Sequence, residues 1–424
     1  MGSFVDPRTG PVPDPLRRPW PPTSSPDELD DLHAACREGR LYDVERWIAE
    51  GRPLQLASTV ATRRRRTTAL GIALERQDHA LVLLLLCNGY DPASEPRGAL
   101  NTALETRRID LVDLLLTWGA DPHGVDLPAL FGTYDTALFE RFYALGVDLS
   151  RRHALACALG YHSSNKPLFG FARRHREDDP RIQLELDMAL AQQVSRGSEK
   201  GALLCLWAGA DPHAEAPSLP YTEPWTGEVD EDDLEDEDGH DTAIHAACSC
   251  GHAELLERFE PDPARDDFDA LYRSAANAET VEVLARSALP TDLTPVVQSM
   301  VESAGFAFQR WDSAAALRRL FELGARWENA SAEVVGQVRR GLLRTRDHTF
   351  RSLVLALASS DACSPEIRRE LGRTAAFQRR LQEVRLMPKP GDRSWRQRRE
   401  ADEMKGTIEA FGLEPPTMAT RRRR

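Results

Sequence analysis

Four residues of the two types that most often ligate zinc crowd into eight positions of this sequence, at His245, Cys248, Cys250 and His252. Imidazole and thiolate are the ligands of tetrahedral zinc, which makes this the first segment to weigh for metal chemistry. On one helix, however, residues two apart point about 200° away from each other, so Cys248 and Cys250 cannot both face one ion. Two triplets, Asp121-Pro122-His123 and Asp211-Pro212-His213, bring a carboxylate and an imidazole close together, as an acid–base pair would. Asp-Pro is also ordinary turn chemistry, in which the carboxylate folds back on its own backbone and the neighbouring side chains stay exposed. The sequence has no G-x-x-x-x-G-K-[ST] phosphate loop, no G-x-S-x-G elbow and no H-E-x-x-H helix. The residues therefore lead us to expect no catalytic residue, no cofactor and no metal.

The elements that would position these residues repeat. Leu81–Asp91 reads LVLLLLCNGYD, Leu111–Asp121 LVDLLLTWGAD, Leu138–Asp148 LFERFYALGVD and Ala202–Asp211 ALLCLWAGAD. Each is an apolar helical stretch stopped by glycine, which supplies the left-handed cap that ends a helix, with an aspartate following. Gly89, Gly119 and Gly146 lie 30 and 27 residues apart, a period of repeat architectures. A shorter helix ends about twelve residues upstream of each of these glycines, and the repeated unit that closes at Gly209 is expected to begin at Leu190. A pair of short helices cannot bury its apolar stripes alone, so stacking against neighbours is obligatory.

Two of the shorter helices carry a more specific pattern: TAIHAACSCGHAE at Thr242–Glu254 and LHAACREG at Leu32–Gly39. They resemble the ankyrin repeat, matching it at Thr242, Ile244, His245, Ala247, Gly251 and His252. The resemblance implies an all-α ankyrin solenoid of about nine helix-turn-helix units, monomeric alone, running over 27–330 with a helical C-terminal cap over 331–387. It also implies that His245 and His252 bond turn backbone between neighbouring repeats. Partner contacts would fall at the exposed end of each first helix, on Arg37, Glu38, Glu75, Arg76, Glu105, Thr106, Ser195, Arg196 and Ser249. The turn tips Asp121, His123, Asp211 and His213 would add to them.

Three segments interrupt the array. Residues 1–26 are Pro-rich and lack periodicity, so we expect them to be extended or disordered. Residues 213–240 form an insertion holding Tyr221 and Trp225, aromatics of the kind that anchor interfaces, and nine acids between Glu228 and Asp238. Residues 388–424 form a basic tail ending in Arg421–Arg424, expected to be mostly disordered.

Composition narrows the function. No apolar run approaches the roughly 20 residues of a membrane helix, and the N-terminal segment MGSFVDPRTG has no apolar core of a secretory signal. Seven cysteines spread over a long chain fit reduced thiols, and cytoplasmic localisation is expected. Fifty arginines against four lysines suggest a GC-rich bacterial genome. The last 61 residues hold 16 Arg and Lys against 9 Asp and Glu, so a net charge of -13 leaves -20 on the first 363. Such a body suits a basic protein partner better than nucleic acid. By analogy with acidic bacterial ankyrin proteins, the expected role is an immunity protein or inhibitor that neutralises a basic protein toxin. The alternative is a regulatory or defence-system adaptor that recruits a protein or nucleic acid through Arg63–Arg66 and Arg421–Arg424.

Overall fold

The computed structural model describes residues 22–57, 68–96, 98–219, 240–303, 313–326 and the positions 365, 368 and 369. Arg63–Arg66, Tyr221, Trp225, the acids of 228–238, the expected 331–387 cap apart from those three positions, and the 388–424 tail lie outside them. The described residues are mostly helical, with one pair of two-residue strands among them. None of their helices is long and apolar enough to cross a membrane.

The chain divides into two compact units, the first made of residues 1–189, 207–210 and 219–235 and the second of 190–206, 211–218 and 236–424. In the first, short helices follow in pairs: α1 (Asp30–Glu38) and α2 (Leu41–Ala49), α3 (Ala69–Glu75) and α4 (His79–Cys87), α5 (Ala99–Glu105) and α6 (Ile109–Thr117), α7 (Leu127–Phe131) and α8 (Thr136–Ala144), α9 (Ala154–Tyr161) and α10 (Lys166–His175). First members pack side by side in the order α1, α3, α5, α7, α9, and second members pack as α2, α4, α6 and as α8 against α10. Next come α11 (Pro180–Ser195) and α12 (Glu199–Ala208), each shared between the two units. The second unit continues with α13 (Ala243–Ser249), α14 (Ala253–Phe259), α15 (Phe268–Ser274), α16 (Ala278–Ser287), α17 (Thr294–Ser303) and α18 (Ser313–Glu322). There the rows are α13, α15, α17 and α14, α16, α18.

The repetition has a backbone cause. Gly39, Gln77, Arg107, Tyr134 and Gly197 end a first helix or its turn with positive φ, and Gly51, Gly89, Gly119, Gly146 and Gly209 do the same for the second helix, each twelve residues later. Side-chain caps start many of the helices: Thr68 accepts from Gly71 N–H at 2.9 Å, Asp78 from Leu81 N–H at 3.1 Å and Thr242 from His245 N–H at 3.0 Å. Every described helix but α11 is too short to be stable alone; burial supplies the rest. Leu70, Leu85, Leu115, Phe139, Phe142 and Phe171 are fully buried, and Phe131, Phe139 and Phe171 meet edge to face at 6.0 and 6.2 Å.

Three boundaries differ from expectation. The first helix of the sixth pair begins at Pro180, ten residues before the Leu190 that periodicity suggests, because proline fits the first helical turn at no hydrogen-bonding cost. The N-terminal segment becomes structured before residue 26: Thr23 pairs with the extended segment 55–57 through bonds to Gln55 and from Ala57. The insertion is closed at its base, where β1 (Ala216–Pro217) runs antiparallel to β2 (His240–Asp241) and sets Ala216 opposite Asp241.

Candidate functional site

Because α1, α3 and α5 pack side by side, their C-terminal ends bring Arg37 and Glu38, Glu75 and Arg76, and Glu105 and Thr106 into one row. All but Thr106 are exposed. Thr106 is half-buried, and its hydroxyl donates to the carbonyls of Thr102 and Ala103 at 3.0 Å each, which turns it inward. The second unit has its own short row: Cys250 Sγ lies 3.7 Å from the Ser195 carbonyl, which sets the end of α11 beside the end of α13. Ser195 and Arg196 are exposed there, while Ser249 is half-buried and donates to Ala246 O at 3.3 Å.

Arginines brace the first row. Arg76 donates to the Arg37 carbonyl, Arg108 to the Gln77 carbonyl at 2.9 Å, and Arg107 to the Gly132 carbonyl at 3.2 Å. These carbonyls belong to helix ends and turns, where a cation is favoured by the helix dipole. Arg107 also lies 5.9 Å over the Tyr134 ring. Arg76 thus ties two successive units together as well as facing solvent. The carboxylates Glu38, Glu75 and Glu105 are the exposed acids of the row; Glu38 pairs with Arg40 at 2.8 Å.

At the opposite turns the aspartate after each helix-ending glycine has a structural role. Asp91, Asp121, Asp148 and Asp211 each accept the N–H two residues on, from Ala93, His123, Ser150 and His213, at 3.0, 2.9, 3.1 and 3.1 Å. Asp121 and His123 are exposed, and Arg151 donates to the His123 carbonyl at 3.0 Å. His213 corrects the expectation of an exposed tip. Its side chain is only 9% exposed, and its Nδ1 lies 3.0 Å from both oxygens of Asp266, itself 3% exposed. Arg265 adds a 2.6 Å pair to Asp211. The second Asp-Pro-His triplet therefore anchors the base of the insertion to the 262–266 loop.

The histidine and cysteine cluster disperses. Cys248 is buried with its Sγ 3.1 Å from the Leu271 carbonyl, whereas Cys250 faces Ser195. His245 Nδ1 lies 2.6 Å from the Asp241 carboxylate, which pushes the imidazole pKa up; its partner is that carboxylate and not the expected turn backbone. His252 sits against the preceding turn, 3.2 Å from where a Cβ on Gly197 would stand. No three metal-ligating side chains converge among the described residues. Burial pushes the Cys36, Cys157 and Cys248 thiols up to about 12, far from a reactive thiolate.

Of the buried polar groups that sequence did not single out, Glu185 is among the most enclosed. Glu185 follows Ile182 and precedes Ala189 and Gln193 on a single stripe of α11, and all four are buried. Its Oε2 accepts the Ala156 N–H at 2.7 Å and its Oε1 lies 2.8 Å from His153 Nδ1. The signal was available, since a carboxylate at core spacing requires a partner, but periodicity begun at Leu190 excluded it. No protein-family model matches the chain, and no curated protein is significantly similar to it.

Proposed function

We propose that this chain is a non-catalytic, protein-binding scaffold of the ankyrin type, acting as a cytosolic bacterial immunity protein or inhibitor that neutralises a basic protein toxin. The observation that carries this reading is the row of exposed charged side chains Arg37, Glu38, Glu75, Arg76 and Glu105 at the ends of α1, α3 and α5, which pack side by side. Such a row offers an extended surface and no enclosed chamber from which water is excluded, which suits recognition more than chemistry. The charge excess of -20 on the first 363 residues supports a basic partner, since complementary fields raise association rates and disfavour wrong partners. Within the first unit, Glu38, Glu75 and Glu105 are the side chains that would meet it, with Arg37, Arg76, Asp121 and His123 setting orientation; Ser195 and Arg196 belong to the separate short row of the second unit.

The test is capture of partners from the native host with the full chain as bait, followed by calorimetry with the purified partner. A basic secreted toxin whose activity the chain abolishes is the expected result. An enriched nucleic acid, or a partner whose binding requires the 388–424 tail, would instead assign the chain to the adaptor class.

A further inference from the structure

The second-row helices of the second unit leave a groove of about 360 Å³ between α14, α16 and α18. Small side chains create it: Ala253 and Ala278 with Val283 form an apolar floor, while Glu254 and Glu257 stand on α14 and Glu279 and Glu282 on α16. Arg286 pairs with Glu257 at 2.6 Å and Arg319 of α18 pairs with Glu282 at 2.6 Å, which offsets one carboxylate on each helix. Glu254 and Glu279 are exposed and make no ion pair with a described residue. An apolar floor flanked by two such carboxylates fits an aromatic ring set between cationic side chains, whose apolar stems can lie along the walls.

The chain itself carries a segment of that chemistry. Residues 389–399 read KPGDRSWRQRR, five cations and one acid around Trp395. One wall of the groove is α18, the last helix before the chain runs on past Arg326, and 62 residues separate Arg326 from Lys389. At up to about 3.3 Å per residue, a fraction of that length suffices for a return. We propose that the groove between α14, α16 and α18 is the docking site of the chain's own segment 389–399, with Trp395 on the floor and the flanking basic residues against Glu254 and Glu279. The acidic stretch Glu228–Asp238 offers the same charge, and crosslinking distinguishes it from the groove. This inference is independent of the partner assigned to the chain.

The chain has four lysines, Lys166, Lys200, Lys389 and Lys405, so zero-length carbodiimide crosslinking of the full chain reads out the neighbours of Lys389 with little ambiguity. The probe is an equal mixture of unlabelled and 15N-labelled chain. The expected product joins Lys389 to Glu254 or Glu279 within one chain, and Trp395→Ser lowers its yield at least fivefold without affecting links from Lys166 or Lys200. Lys389 joined to acids of 228–238, absence of a Lys389 link to the groove, or an unchanged yield in Trp395→Ser would overturn the proposal. A product pairing light with heavy chains would overturn it too, assigning the groove to a second copy.

Discussion

Glu185→Ala removes a buried acceptor whose worth follows from its surroundings. The substitution orphans the Ala156 N–H, held at 2.7 Å, at a cost of about 1–3 kcal/mol, and adds a small cavity term. Against this it relieves a desolvated carboxylate, since burial outweighs the His153 and Ala156 hydrogen bonds and holds the Glu185 pKa above the usual range. The net cost should be about 2 kcal/mol. Arg152 and His153, at φ 53° and 54°, are strained residues that Glu185 helps hold in place through His153. Glu185→Gln keeps an acceptor for Ala156 but never ionises. Because the folded pKa is raised, the wild-type residue contributes most stability below the ordinary carboxylate range and loses it as pH rises through the folded value. Relative to wild type, Glu185→Gln should therefore do better at pH 8 than at pH 5. Urea denaturation followed by helical circular dichroism at both pH values measures this. A cost below about 0.5 kcal/mol for Glu185→Ala, or parallel pH curves for wild type and Glu185→Gln, would refute the reasoning.

Gly39→Ala should destabilise by about 1–2 kcal/mol in thermal melts, because φ is 69° and the new Cβ would meet the Arg76 guanidinium at 2.6 Å. Gln77→Gly, in the equivalent turn at φ 58°, should be neutral or stabilising by up to about 1 kcal/mol. His213→Ala leaves Asp266 buried without its imidazole and should cost about 3 kcal/mol, whereas His123→Ala at the exposed equivalent tip should stay within about 0.5 kcal/mol. The same melts compare them. Metal analysis of protein purified without chelator should find no stoichiometric zinc, since Cys248 and Cys250 face different carbonyls.

The helix pairs were legible because glycine is nearly obligatory where a side chain would clash in the left-handed region, and it recurs as Gly89, Gly119, Gly146 and Gly209. The turns between the helices of a pair were harder to read. Gln77, Arg107 and Tyr134 adopt positive φ without being glycine, held by flanking helices that local pattern does not encode. His123 and His213 sit in identical triplets, yet one is exposed and one buried. The difference is Asp266, 53 residues from His213, and no spacing rule reaches that far. The exposed row was legible as helix ends, but not the Arg76 bond to the Arg37 carbonyl, which depends on how two pairs stack.

The most direct test of the binding row is calorimetry of the captured partner with a chain carrying Glu38→Lys, Glu75→Lys and Glu105→Lys together. These exposed changes avoid the bracing Arg76 and should each cost at most about 0.5 kcal/mol of stability. Three like charges brought against a basic surface should weaken binding by at least 100-fold, about 3 kcal/mol, while deletion of residues 388–424 leaves affinity within threefold. Unchanged binding by the triple variant, with loss on deletion of the tail, would contradict the account.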